Sequence, residues 1–123
     1  MPGETPAVVA AYFESLNAED FDRLETLWTD DATLRAVGQP PRHGRDQVMD
    51  YFSPLFRTWM QHVDTPMRVI TSGDVAVVEV SFTGTTTSGK RLTFDAVDVF
   101  DLSDDRIASL ATWYDLHWLV RQL

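Results

Sequence analysis

Ten Lys and Arg against nineteen Asp and Glu give this 123-residue chain a formal charge of −9, and 44% of its residues are hydrophobic. That length and apolar content suit one domain over residues 1–123 with one core. The charge repels phosphate backbones and anionic membrane surfaces, so neither nucleic acid nor a membrane is expected as a partner. There is no cysteine, and His43, His62 and His117 lack the spacing of a ligand set, so no metal or other cofactor is expected.

Residues 1–6 carry no basic residue and no apolar run, unlike a secretory signal, and no stretch reaches the roughly 20 apolar residues of a membrane span. A cytoplasmic protein is expected. Thr5 as N-cap and Pro6 at the first helical position begin a helix whose apolar face is Val8, Val9, Tyr12, Phe13 and Leu16. Phe21, Leu24, Leu27 and Trp28 mark a second, shorter helix ending before Thr29. Ala32 to Ala36 reads as a short strand, and residues 37–44 read as a loop punctuated by Gly38, Pro40, Pro41 and Gly44. A third helix is predicted from about Arg45 to Gln61, with Pro54 inside it as a source of kinking.

After Pro66 the period becomes two. Met67–Thr71, Val75–Thr87, Arg91–Leu102 and Ile107–Tyr114 are predicted strands joined by short turns, hence an antiparallel meander. The middle strands are long enough to require coiling, and a coiled sheet can wrap around helices. Leu116 to Leu123 reads as a short closing helix capped by Asp115.

Alternation puts Phe94, Ala96, Asp98, Phe100 and Leu102 on one face of the third long strand, with Thr93, Asp95, Val97, Val99 and Asp101 on the other. Asp98 thus falls in the more apolar row. A carboxyl group there must pair with a donor or stay protonated. The competing register turns Val97 and Val99 inward and leaves Asp98 solvated. On the fourth strand the inward row is read as Ala108, Leu110, Thr112 and Tyr114.

The segment Val8 to Asp20, Leu27-Trp28-Thr29-Asp30-Asp31-Ala32-Thr33-Leu34 and Pro41-Arg42-His43-Gly44 resemble the N-terminal half of bacterial ketosteroid isomerases. These belong to the NTF2-like superfamily, with the SnoaL-like polyketide cyclases and limonene epoxide hydrolases. The resemblance implies an α+β, cystatin-like cone: three N-terminal helices packed in a curved, mainly antiparallel sheet, with a short C-terminal helix. It places the isomerase's oxyanion-hole tyrosine on Tyr12 and its protonated aspartate on Asp98, and so selects the register in which Asp98 faces inward. The isomerase's general base falls on Ala36, and no Asp or Glu occurs between Asp31 and Asp46. Steroid isomerisation therefore lacks its proton carrier.

The ending Trp113-Tyr114-Asp115-Leu116 resembles the SnoaL-like C-terminus, where an aspartate is assigned as acid/base. Asp115 is that candidate, although alternation turns it away from the pocket and a helix N-cap is the competing role. His117 and His43 are further proton-carrying candidates, each with surface exposure as the alternative. Arg35 is either a binder of an acidic substituent or an exposed strand-end residue.

Trp28, Phe52, Phe56, Trp59, Phe82, Thr112 and Tyr114 are the candidate lining for a small hydrophobic or polyketide-like ligand. The expected function is a cofactor-independent enzyme of the polyketide cyclase or isomerase type, which stabilises an enolate in an apolar pocket. The alternatives are an epoxide hydrolase-like enzyme, which needs a close Arg–Asp pair, and a non-catalytic ligand-binding or assembly module of the same fold. Val75, Val77, Val97 and Val99 make the outer sheet face too apolar for full solvation, so a homodimer through that face is expected.

Overall fold

The computed structural model describes residues 4–123. Helix α1 (Ala7–Ala18) is N-capped by Pro6, without a side-chain cap, and buries Val8, Val9, Tyr12, Phe13 and Leu16. The predicted Thr5 cap therefore lies one residue early. Helix α2 (Phe21–Glu25) is capped by Asp20, whose side chain accepts from the Arg23 amide. It is shorter than predicted because Trp28 already begins strand β1 (Trp28–Ala36). The loop after it contains a two-residue strand, β2 (Arg42–His43), paired with β1.

Helix α3 (Arg45–Thr58) buries Val48, Met49 and Phe52 and holds Pro54 within it. It stops three residues before the predicted end, because Trp59 is extended and opens β3 (Trp59–Ser72). This is the main correction to the predicted elements: β3 was expected only from Met67. The meander continues through β4 (Val75–Thr86), β5 (Arg91–Ser103) and β6 (Arg106–Tyr114), all antiparallel neighbours as expected. Asp115 then caps α4 (Leu116–Arg121), accepting from the Trp118 amide.

Among the described residues the strands form one open curved sheet in the order β2-β1-β6-β5-β4-β3. The join between β1 and β6 is its one parallel pairing. Long coiled strands wrap α1 and α3, so the core lies between helices and the concave face. Trp28, Phe52, Phe100, Leu24, Leu34, Leu92 and Ile107 are fully buried there. A register shift near Asp101 brings Ile107 inward in place of the expected Ala108. No helix among the described residues is long and apolar enough to cross a membrane.

Candidate functional site

Asp98 faces inward. It pairs across β5 with Val78 on one side and Thr112 on the other, and it is only 6% exposed, against 37% for its outward neighbour Val97. Strand period two thus resolves the register in favour of the hollow. Asp98 Oδ1 is buried without a hydrogen-bond partner in the protein.

Tyr12 reaches the same space from α1. Its ring is packed edge-on against Phe100 at 5.2 Å, Phe13 at 5.1 Å, Trp28 at 6.1 Å and Phe52 at 6.3 Å between centroids. Such edge-to-face packing fixes the ring's direction, and with it the direction of the hydroxyl. Between these elements lies a cavity of about 100 Å³, whose polar lining comes from Tyr12, Tyr51, Asp64, Asp98, Thr112 and Tyr114. Phe52, Trp59, Phe82 and Phe94 supply its aromatic wall, and Leu119 of α4 closes part of it. A larger groove of about 410 Å³ lies on the opposite, convex face and contains neither Tyr12 nor Asp98. Among the described residues, the smaller space is where the buried carboxyl groups Asp64 and Asp98 and the buried Tyr12 and Tyr51 hydroxyls converge, which makes it the candidate site.

The second carboxylate of this cavity is Asp64, which the sequence reading assigned to no element. On β3 it stands opposite Phe82, which in turn stands opposite Phe94, and all three line the cavity. Asn17 at the end of α1 holds the Asp64 backbone from both sides. Its Nδ2 donates to the Asp64 carbonyl at 2.9 Å, and its Oδ1 accepts from the Asp64 amide at 2.8 Å.

Burial raises both carboxyl groups above their ordinary value. Desolvation carries Asp98 up to about 6, against an opposing pull from the Thr112 hydroxyl. Desolvation, then the charge on Asp98, carries Asp64 up to about 7. The charge on either group opposes ionisation of the other. Two such groups titrate as a pair. Such a pair loses its protons in two steps, both above the ordinary carboxylate range, and between the steps it holds one shared proton. Tyr12, Tyr51 and Tyr114 are all raised, chiefly by burial, so each keeps its hydroxyl proton at neutral pH.

Of the predicted site residues, the structure brings together Tyr12, Asp98, Phe52, Trp59, Phe82, Thr112 and Tyr114. It places the others elsewhere. Trp28 is fully buried behind Tyr12 and Phe52, and Phe56 stacks on His62 with rings 5.9 Å apart and 9° from parallel. Both support the wall without lining the cavity. Asp115 is an exposed helix cap, turned outward as alternation required. Arg35 lies over Trp113, 5.3 Å from its ring centroid. His43 and His117 are exposed. No arginine, lysine or histidine lines the cavity, so the Arg–Asp pair that epoxide opening calls for is not in it. The position of the expected base, Ala36, is buried beside Thr112.

Residues 9–110 match the family model described as the SnoaL-like domain. A 50-residue stretch is 42% identical to part of the orange carotenoid-binding protein of Synechocystis; it makes up 41% of this chain and only 16% of that protein. Among solved structures, a candidate polyketide cyclase from Pseudomonas putida KT2440 superposes with a TM-score of 0.89 at 20% identity, covering 98% of this chain and 99% of that one. A protein with a ketosteroid isomerase-like fold from Catenulispora acidiphila, solved with trimethylamine, gives 0.87 at 19% identity, covering 97% and 93%. At such identities these likenesses concern the fold alone. The family match spans most of the chain, and together with the cone-shaped fold it identifies the chain as a member of the SnoaL-like domain family, on the NTF2-like scaffold.

Proposed function

We propose that this chain is an enzyme of the cyclase or isomerase type, acting on a small enolisable carbonyl compound. Tyr12 and the protonated form of Asp98 are the donors to its oxygen. The observation that carries this reading is the unpartnered Asp98 Oδ1, buried at the aromatic-walled cavity that Tyr12 also lines. An orphaned polar atom there is unfavourable unless a ligand group meets it. As a proton leaves the carbon next to a carbonyl, charge accumulates on the oxygen. Donors already fixed in a dry site stabilise that charge without reorganising.

Which carboxyl group holds the shared proton depends on what faces it. A carboxylate facing a carbonyl oxygen repels it and a carboxylic acid donates to it, so a carbonyl oxygen seated against Asp98 draws the proton there. One hydrogen bond to a developing charge is worth about 1.5–3 kcal/mol.

The cavity size bears on the substrate. An engineered cavity of roughly 150 Å³ in another protein accepts one benzene, so about 100 Å³ suits a short-chain carbonyl compound. A polycyclic ligand requires the mouth beside Leu119 and Trp59 to open. The small ligand in the Catenulispora structure is in keeping with this size class.

The test is exchange of the α-protons of acetone in D2O, followed by proton NMR. The wild-type protein is expected to accelerate exchange. Asp98→Ala is expected to lower the rate by roughly 10²–10³-fold, and Asp98→Asn, which keeps a donor, by less. Equal losses in two folded variants, or no acceleration by a wild-type protein that binds the ketone, contradict the proposal.

The convex face supports self-association through the sheet. Met67, Val97 and Trp113 are exposed there beside Glu79, Ser81 and Asp95, around the groove of about 410 Å³. Light scattering is expected to give a dimer at micromolar concentration that Trp113→Glu dissociates. A wild-type monomer removes this part of the reading.

A further inference from the structure

The cavity has donors for an oxygen but, at Ala36, no acceptor for the substrate's proton. We propose that Asp64 is that acceptor, held in place by a polar seam between the end of α1 and β3; the proposal rests on the carbonyl-enolising reading of the site. Asp64 is the remaining carboxyl group in the cavity lining, and it comes from the edge strand, on a different wall from Asp98. The titratable groups that share the space are Asp98 from β5, Tyr12 from α1, Tyr51 from α3 and Tyr114 from β6. None of them is a cation.

The seam has two ties. Asn17 fixes the Asp64 amide and carbonyl with paired hydrogen bonds, leaving the carboxyl group free for the cavity. Two residues earlier on the strand, buried His62 meets Glu19, with Nε2 and Oε2 2.7 Å apart, and stacks on Phe56. Glu19 is the C-cap of α1 and takes a left-handed φ of +52°, a conformation that glycine adopts more readily. A glutamate at a glycine-favouring cap, paired with a buried histidine, ties the helix end to the strand that carries Asp64.

The step balances without a co-reactant. The Asp64 carboxylate takes a proton from the carbon next to the carbonyl. The C–H electron pair becomes the carbon–carbon double bond, and the carbonyl π pair moves onto the oxygen held by Tyr12 and protonated Asp98. Asp64 then returns its proton to the same carbon, which is exchange, or to a conjugated carbon, which is isomerisation. The roles require the shared proton to sit on Asp98. A carbonyl oxygen seated against Asp98 draws it there, because the acid form donates to that oxygen and the carboxylate repels it.

The experiment compares Asp64→Asn, Asn17→Ala and their double variant with the wild type, measuring acetone exchange and, separately, acetone binding by NMR titration. Asp64→Asn is expected to lose roughly 10²–10⁴-fold in exchange rate, with binding changed less than about threefold. Asn17→Ala is expected to lower the rate about tenfold with binding intact, and to add nothing in the Asp64→Asn background. A purely structural Asn17 would slow the double variant further. If Asp98→Ala loses exchange and Asp64→Asn keeps it, Asp64 is overturned and the donor reading stands. If neither variant changes the wild-type rate, both are overturned.

Discussion

Replacing Asp98 with asparagine tests the energetics of the cavity without knowledge of any substrate. Asp98 ionises near 3.8 in an ordinary setting and near 6 in the fold, mainly because burial disfavours its charge. Between those values the folded chain binds more protons than the unfolded chain, so stability falls as pH rises through the window. The neutral carboxyl costs nothing extra below about pH 4, and the full penalty of the buried carboxylate is present above about pH 6. A shift of about two units corresponds to roughly 3 kcal/mol. Asp98→Asn is isosteric and cannot ionise, so urea unfolding should show the variant near wild type at pH 4 and more stable by up to about 3 kcal/mol at pH 8. Removing the Asp98 charge also lets Asp64 ionise more easily, which adds to the gain on the alkaline side. A difference between variant and wild type that does not change with pH, or that favours the wild type at pH 8, refutes the reasoning.

Three other perturbations separate wall, core and cap. A Cβ added at Gly84 meets Trp59 and Phe82 at 2.9 Å, so Gly84→Ala should destabilise by roughly 1–3 kcal/mol and shift the tryptophan fluorescence, whereas an unchanged spectrum would mean that the wall yields elsewhere. Trp28 is fully buried and its Nε1 lacks a partner. Trp28→Phe should therefore lower the unfolding free energy by under about 1.5 kcal/mol, against roughly 3–5 for Trp28→Ala; a larger loss in Trp28→Phe would show that the indole nitrogen is satisfied. Asp115→Ala removes the α4 cap and should lower stability by about 1 kcal/mol while leaving ketone exchange intact; loss of exchange with α4 in place would return Asp115 to the site.

The parts of this architecture that could be read from the chain are those where burial writes a period. β5 lies inside the sheet, with one face in the core, so its alternation groups Phe94, Ala96, Asp98 and Phe100 on one face, while the resemblance to the isomerases is what selects the register that turns this face inward. Asp115 likewise could be read as a cap, because an aspartate before an apolar helical run has a local partner in the amide three residues on. β3 gave no such signal. It is an edge strand with one neighbour and is exposed along most of its length, so little alternation is imposed on it. Trp59 and Met60 prolong the helical spacing of α3, and Pro66 reads as a break, although on an edge strand beside a bulge it is tolerated. Asp64 was lost with that strand. The remaining trace of it was the alternation His62, Asp64, Pro66, whose partners Gly84, Phe82 and Val80 stand on β4. The Asn17 clamp spans 47 residues and leaves no local mark.

The most direct measurement is a carbon-13 NMR titration of the aspartate carboxyl groups in the wild-type protein and in Asp64→Asn. An Asp98 midpoint near 6 and a second inflection near 7 are expected, with the second absent from the variant. Asp98 titrating at the ordinary carboxylate value near 4, with no inflection shared with Asp64, contradicts a cavity in which two carboxyl groups hold one proton.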